Sequence, residues 1–423
     1  MKVKSQISNL ASSAAPLEQE RPKVFRALYN PNYRVFWVGS LLSNIGSWMQ
    51  TVAQGWLVLQ LTNSAFLLGV VGFTGMFPVL VFSLVGGVYA DRFDRRRLLV
   101  ATQTVLMVLA LILGVLVSTG AITVWHVLVL SLLSGIANAL SMPAYQAMVQ
   151  DLVGRDDLMN AIALNSVQFN LSRVIGPATA GVALGRIGIA GCFYLNAVSF
   201  LAVIVALLRI RFPHYVPPQS PPRSVAKSVV EGMQYVWENR IILYLLTIVA
   251  AVSLWGMPYM TLLPIFARDV LHRGAAELGY LMSSSGVGAV MGALVLARLG
   301  DFSFKGKMAI AGGLMFALSV FGFALSRSYY LSLGFLLMAG WSLVSCVAVI
   351  NTLIQKLVPA HVRGRVMSMY SLAFLGLMPI GNLVAGTLAE LLGARAGLAL
   401  GAVLIASTVF YVITVRSDVA HLR

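Results

Sequence analysis

A long apolar run ends abruptly at Gly86-Gly87-Val88-Tyr89-Ala90-Asp91-Arg92-Phe93-Asp94-Arg95-Arg96-Arg97, where carboxylates and four arginines crowd together before a second apolar run begins. Charge this dense cannot sit in hydrocarbon, so the cluster is a tight turn on one face of a membrane between two spans. The rest of the chain repeats the pattern. Of 423 residues, 59% are hydrophobic and 10% charged, against about 25% charged in soluble domains. That balance excludes a soluble globular protein.

Stretches of roughly 20 apolar residues, the length that crosses a bilayer as a helix, fall at about 35–60, 66–90, 97–118, 124–148, 160–184, 190–209, 241–267, 276–299, 307–326, 330–354, 365–390 and 395–415. Twelve spans place both termini on one face. Arg186, Arg268, Arg273, Arg327 and Arg395 belong to the opposite face and Arg173 lies inside a span, while all other Lys and Arg gather on the face that carries the termini. By the positive-inside bias that face is cytoplasmic. The net charge of +16 has the same origin. Its cations lie in short clusters between spans, where anionic lipid meets them, and do not form a nucleic-acid surface.

The expected organisation is a cytoplasmic tail over 1–34, a six-helix bundle over 35–209, a cytoplasmic linker over 210–240, a second six-helix bundle over 241–415, and a tail over 416–423. The first tail is polar, with Pro16 and Pro22, and lacks the apolar core of a signal peptide. In the linker, Pro213, Pro217, Pro218, Pro221 and Pro222 break any helix. Val229, Met233, Val236 and Trp237 then recur at helical spacing opposite Lys227, Glu231 and Glu238, which predicts a surface-lying amphipathic helix. The alternative is a disordered connection.

The bundles repeat each other. A shift of 205 residues lays Gln150-Asp151-Leu152-Val153 on Gln355-Lys356-Leu357-Val358, and Gly176, Ala180, Gly181 and Gly188 on Gly381, Ala385, Gly386 and Gly393. Duplicated bundles place a transport site at mid-membrane, between the halves. Cys192 and Cys346 lie in apolar runs, so neither a disulfide nor a metal site is expected.

With these residues in view, Gly87 through Arg96 resembles the signature loop between the second and third helices of the major facilitator superfamily. The family usually has Gly where this chain has Asp94. The drug:proton antiporter-3 branch, with its enterobactin and macrolide exporters, is similar there. Arg173-Val174-Ile175-Gly176-Pro177-Ala178-Thr179-Ala180-Gly181 is similar to the Gly-Pro motif of exporters in the superfamily. The resemblance runs from about Asn32 to Val415. It implies an all-α, twelve-helix fold of two pseudo-symmetric bundles in a bacterial inner membrane, no cofactor, a monomer, and protons as a partner.

The resemblance also assigns roles. Gly87, Asp91, Arg92, Arg95 and Arg96 would form a conformational latch whose acid meets the start of the eleventh span at Arg363 and Arg365 when the protein opens outward. The alternative is that these charges only anchor a loop to lipid headgroups. Arg173 inside a span costs about 2.5 kcal/mol or more if unpaired. It either binds an anionic substrate group, tunes a proton site, or donates to facing carbonyls. Gly176, Pro177 and Gly181 suit close packing, with flexing as a consequence, and the partner expected from Gly286, Gly288 and Gly292 is the eighth span.

In this family the first, fourth, seventh and tenth spans line the cavity. Asn44, Gln50, Gln54, Asn138, Tyr145, Gln146, Trp255, Tyr259, Trp341, Ser345 and Asn351 are therefore candidates to face it, or else to join helices to one another. Amides among aromatics and methionines suit a bulky amphiphilic solute. None of the fourteen acids lies at the centre of a span; Glu390 and Asp269 come nearest. Proton coupling is thus an implication of the resemblance, with Glu390 and Asp269 as possible proton sites.

The reading that results is a secondary exporter of drug-like or siderophore-like amphiphiles. A lipid or lysolipid flippase on the same fold, and a receptor or scaffold that transports nothing, are the alternatives. An enzyme is disfavoured. Gly300-Asp301-Phe302-Ser303-Phe304-Lys305-Gly306-Lys307 has the wrong glycine spacing for a phosphate loop, and Met308 stands where Ser or Thr would hold magnesium. It reads better as a decayed copy of the opening loop. The five histidines are scattered. Reporters fused at Thr119 and at Pro218 are expected to fall on opposite sides of the membrane; finding both in one compartment breaks this topology.

Overall fold

The computed structural model describes residues 23–210 and 225–422, and of residues 83–92 only the backbone. All regular structure among them is helical. The spans are α1 (Pro31–Thr62), α2 (Ala65–Arg92), α3 (Arg95–Ser118), then one helical run, Val124–Arg209, that turns twice and so supplies α4 (124–153), α5 (155–187) and α6 (189–209). After the linker helix Val225–Glu238 come α7 (Arg240–Val270), α8 (Ala275–Leu299), α9 (Lys305–Leu325), α10 (Tyr329–Leu357), α11 (Ala360–Leu392) and α12 (Ala394–Val415). Ten helices pass as spans by length and apolarity. Asp156–Arg209 is one of these and crosses twice, and α1, 32 residues long but interrupted by Asn44, Gln50 and Gln54, completes twelve.

The two turns inside Val124–Arg209 occupy a single residue each. Gly154 has φ 72° and ψ −175°, and Gly188 has φ 69° and ψ −174°, a region closed to residues with a Cβ. Gly393, one repeat beyond Gly188, turns α11 into α12 at φ 84°. Asp94 makes a different corner: its Oδ1 accepts from the Arg96 and Arg97 amides at 2.9 and 3.1 Å and so caps α3. The residue that departs from the family's glycine is therefore a helix cap.

The halves, α1–α6 and α7–α12, join between mid-depth and the face away from the termini, here the far face. On one side Gly181 of α5 lies against α8, and a Cβ on it would stand 2.6 Å from the Ala276 carbonyl oxygen. Gly279 of α8 packs reciprocally on Pro177 and Gly181. On the other side Gly386 of α11 would place a Cβ 2.8 Å from the Ala65 carbonyl oxygen and from the Gly69 Cα of α2, and Gly69 would meet the Asn382 carbonyl at 2.5 Å. Because Gly181 and Gly386 are repeat partners, the two seams are related by the pseudo-twofold.

Pro177 explains part of the first seam. It has no N–H to give the Arg173 carbonyl four residues back, and Gly286 of α8 settles over that carbonyl, while Ser283 Oγ donates to the Val174 carbonyl at 2.8 Å. The expectation for Gly286, Gly288 and Gly292 is thus met at the first of them alone. Gly288 and Gly292 pack on Leu337 and Trp341 of α10, because residues two apart on a helix point to different sides.

At the far face two charged residues grip the α1–α2 turn. Glu390 Oε2 accepts from Ser64 Oγ and the Phe66 amide, both at 3.1 Å, at the positive end of α2. Arg268 donates to the Leu59 carbonyl at 3.2 Å and to Asn63 Oδ1 at 2.7 Å, at the negative end of α1. Each charge meets the helix terminus of opposite sign.

Two outcomes follow from these contacts. Gly188→Ala and Gly393→Ala should each cost about 1–3 kcal/mol, read as a lower melting temperature, whereas Gly185→Ala, with open space beside it, should melt like the wild type. Gly386→Val should prise the second seam apart, so that a cysteine at Ala65, 6% exposed in the closed seam, reacts with an aqueous thiol reagent faster than in the parent.

Candidate functional site

Below the seams, toward the termini, α4 and α10 carry two matching rows of amides. On α4, Asn138, Met142, Gln146 and Gln150 recur every four residues and all are exposed. On α10, Asn351 and Gln355 are one repeat beyond Gln146 and Gln150; Asn351 is half-buried, Gln355 exposed, and Gln355 Nε2 donates to Asn351 Oδ1 at 2.6 Å. Uncharged amides facing acyl chains would lose their hydrogen bonds with water. Rows of them on exposed helix faces therefore call for water, headgroups or another polar surface beside them.

The other cavity candidates divide by burial. Asn44, Trp255 and Trp341 are half-buried. Three more serve to join helices: Gln54 Nε2 donates to Ser131 Oγ at 2.8 Å, Asn196 Nδ2 donates to Gln50 Oε1 at 2.6 Å, and Tyr145 donates to Gln168 Oε1 at 3.1 Å, whose amide reaches the Trp37 carbonyl. Ser345 is 5% exposed and Tyr259 fully buried. The Tyr259 hydroxyl lies 2.5 Å from Ser285 Oγ.

Arg173 lies at the first seam, toward the termini from Gly181, and is 8% exposed. Its Nη2 donates to Ser285 Oγ of α8 at 3.3 Å and approaches the Met260 sulfur at 3.9 Å, while Nε is buried without a partner. The facing-carbonyl alternative does not describe these bonds. Gly176 packs against Trp48 and Ile45 of α1, and its repeat partner Gly381 against Leu254 and Pro258 of α7.

α7 and α11 each contain a widened, π-helical turn, Val252–Gly256 and Leu372–Gly376. The two turns face each other, and Ser253 Oγ donates to the Phe374 carbonyl that widening leaves free. Sequence reasoning missed Ser253 and Gln150. The first carries no pattern that betrays a bulge; the second was visible in the repeat as the partner of Gln355.

Of the latch, the side chains of Gly87, Asp91 and Arg92 lie outside the described residues, as do the tail over 1–22 and the proline segment over 211–224. Arg95 Nη1 donates to both carboxylate oxygens of Asp151 of α4, at 2.7 and 2.8 Å, and Arg96 donates to the Leu208 carbonyl at the end of α6 at 2.7 Å. Arg363 donates to the Val358 carbonyl, and Arg365 pairs with Glu231 of the linker helix at 2.8 Å. The linker helix thus occupies the start of α11. In the second half the charges are exchanged: the acid, Asp301, stands before α9, and the cations are Lys305 and Lys356 of α10, both at 2.6 Å. Hydrogen bonds from Lys305 and then Lys356 draw the Asp301 carboxyl down to about 2. Its contribution is complete above the ordinary carboxylate range and fades only as pH falls toward that value.

Asp269 pairs with Arg268 at 2.6 Å, and Asp269 and Glu390 border a far-face cavity of about 580 Å³ together with Asn63 and Arg395. Cys192 and Cys346 are buried free thiols, and no cluster of His, Cys, Asp or Glu among the described residues could hold a metal.

Comparison with known proteins agrees with this architecture. Solved structures that superpose on the chain include a POT family transporter in complex with 5-aminolevulinic acid (TM-score 0.73, 13% identical, 92% of this chain and 97% of that one) and a bacterial homologue of the lysosomal transporter Spinster in an inward-facing, unoccupied conformation (TM-score 0.68, 13% identical, 95% and 97%). At that identity they show the fold alone. Among curated proteins, the staphyloferrin A transporter of Staphylococcus aureus is 26% identical over 85% of this chain and 90% of its own length. The multidrug efflux pump Tap of Mycolicibacterium fortuitum is 26% identical over 84% and 89%, and the enterobactin exporter of Shigella flexneri 26% over 81% and 81%. The family model described as transmembrane secretion effector matches residues 23–421. With two six-helix halves joined by paired glycine seams, the chain belongs to the transmembrane secretion effector family of the major facilitator superfamily.

Proposed function

We propose that this protein is a secondary transporter that exports amphiphilic small molecules, drug-like or siderophore-like, from the cytoplasm across a bacterial inner membrane. The named relatives are a staphyloferrin A transporter, a multidrug efflux pump and an enterobactin exporter. The observation that supports the reading most directly is the pair of amide rows, Gln146 and Gln150 against Asn351 and Gln355, facing a cleft sealed at the far face. Substrate enters from the face that carries the termini, which the distribution of Lys and Arg makes cytoplasmic. Apolar walls supply affinity, amides orient the solute, and opening of the glycine seams exposes it to the far side. The glycines permit that motion because smooth backbone surfaces part without unthreading side chains.

The latch completes the cycle. In this far-face-closed conformation Glu231 of the linker helix holds Arg365. When the cytoplasmic side closes, Asp91 approaches the same helix start, taking over the positive end of α11. The coupling ion is the proton. Glu390 must be ionised to cap α2, so a proton that reaches it weakens the far-face clamp; Arg268, Asp269 and Arg395 are the charged groups around the same turn and cavity.

Everted vesicles loaded across drugs, siderophores and lysolipids test the reading. Substrate-dependent transport is expected for the first two, and transport of lysolipid alone would replace exporter with flippase. Gln146→Leu and Asn351→Leu each remove a hydrogen-bonding group worth about 1 kcal/mol, so each should weaken apparent substrate affinity about fivefold. Collapse of an imposed pH gradient should slow export, and Glu390→Gln should remove the gradient-dependent part. A wild type indifferent to the gradient eliminates proton coupling and leaves the exporter standing.

A further inference from the structure

Arg173 is an unfinished site. A guanidinium stays charged at every accessible pH and carries five N–H donors. Here it is more than nine-tenths buried, its Nε is orphaned, and its Nη2 is spent on a long bond to the neutral Ser285 and a contact with the Met260 sulfur. No carboxylate among the described residues pairs with it. The groups around it add donors: Ser285 Oγ, and the Tyr259 hydroxyl 2.5 Å from it, both on residues fully buried. A buried cation surrounded by hydroxyls with no counter-charge is complementary to an anion. The amide rows and Met142 below it suit the remainder of an amphiphile, and they too carry no charge.

The same arginine belongs to the first seam. Its bond to Ser285 crosses from α5 to α8, beside the Ser283 bond to the Val174 carbonyl and the approach of Gly286 to the Arg173 carbonyl. A carboxylate makes a shorter, bidentate bond to guanidinium than a serine hydroxyl can. An anion that reaches the blind end of the cleft therefore takes Arg173 from Ser285 and removes one tie between the halves.

Building on the reading of the cleft as the transport path, we propose that Arg173, Ser285 and Tyr259 recognise the anionic headgroup of an amphiphilic substrate, and that this recognition loosens the α5–α8 seam. Binding and gate opening are then linked through one side chain, since a ligand shifts a conformational equilibrium only by its differential interaction with the two states. A carboxylate solute and an anionic lysolipid present the same chemistry, and the choice between them is experimental.

The test uses the full chain reconstituted in phosphatidylcholine vesicles, with three probes of equal chain length: N-dodecanoylglycine, its methyl ester and dodecylammonium, and with lysophosphatidylglycerol as a membrane-borne anion. Equilibrium binding, transport, and thiol labelling of a cysteine at Ala276, the α8 residue on which Gly181 packs in that seam, are read together; the native thiols are fully buried. An anionic probe is expected to bind at least about tenfold more tightly than the ester and to raise labelling, while dodecylammonium does neither. Arg173→Gln should bring the acid-to-ester ratio to about one. Arg173→Lys should retain a preference for acid at reduced size, because charge is kept and the planar fork lost. Ser285→Ala should reduce the preference, because one donor to the anion is lost, and raise labelling without probe. A response to N-dodecanoylglycine identifies a solute, and a response confined to lysophosphatidylglycerol a lipid source; either supports the site. Equal binding of acid and ester by the wild type, or a ratio that survives Arg173→Gln, overturns it. Selective binding of the acid with no transport of any probe upholds the site and defeats the exporter reading instead.

Discussion

The closest approach between the two halves is backbone on backbone. At Gly181 and Gly279 on one side, and at Gly69 and Gly386 on the other, helices from opposite halves come so near that a single methyl group would strike a carbonyl or an α-carbon. In a bilayer there is little hydrophobic gain in pressing one apolar helix against another, so association depends on contact area and on hydrogen bonds. Small residues supply the first. They also leave the seam free of interlocking side chains, which suits an interface that must open and close. The halves meet toward the far face, and Arg173 stands where the first seam begins.

Charge is distributed to match. At the far face Glu390 and Arg268 each meet a helix terminus of opposite sign around the α1–α2 turn, and both come from the second half. Toward the termini the pairs named here are local to one half or its linker: Arg95 with Asp151, Asp301 with Lys305 and Lys356, Arg365 with Glu231. Lys356 stands one repeat beyond Asp151, and Asp301 falls one residue past the repeat position of Arg95, so the two pairs lie in similar places with the signs exchanged. An ion pair works in either direction provided the partners stay opposite.

Between these charged layers Arg173 stands by itself. Pro177, four residues on, frees its carbonyl, and Gly286 takes the space above it. One short segment of α5 thus interrupts the helix bond pattern, holds a buried cation and receives the neighbouring half. The facing π-helical turns of α7 and α11 place a comparable irregularity in the second half, bridged by Ser253. Both irregularities lie inside spans and not at their ends.

Apolar length, charged loops and the 205-residue repeat determined the twelve spans and the two bundles, because hydrocarbon thickness and the cost of burying charge act on local sequence. The repeat also marked Gly188 and Gly393, which the structure shows at positive φ, and it carried Gln146 onto Asn351. Which partner each glycine meets was not legible: Gly286 faces α5 while Gly288, two residues on, faces α10, and helix azimuth is set by packing between distant segments. Tertiary structure likewise turned Gln50 and Tyr145 into interhelical ties, made Asp94 a cap, gave Arg365 to Glu231, and brought Ser285 and Tyr259 to Arg173. The sequence could say that a charge lies in the membrane. Only the fold, by fixing what stands within hydrogen-bonding reach, decided that its nearest companions are neutral.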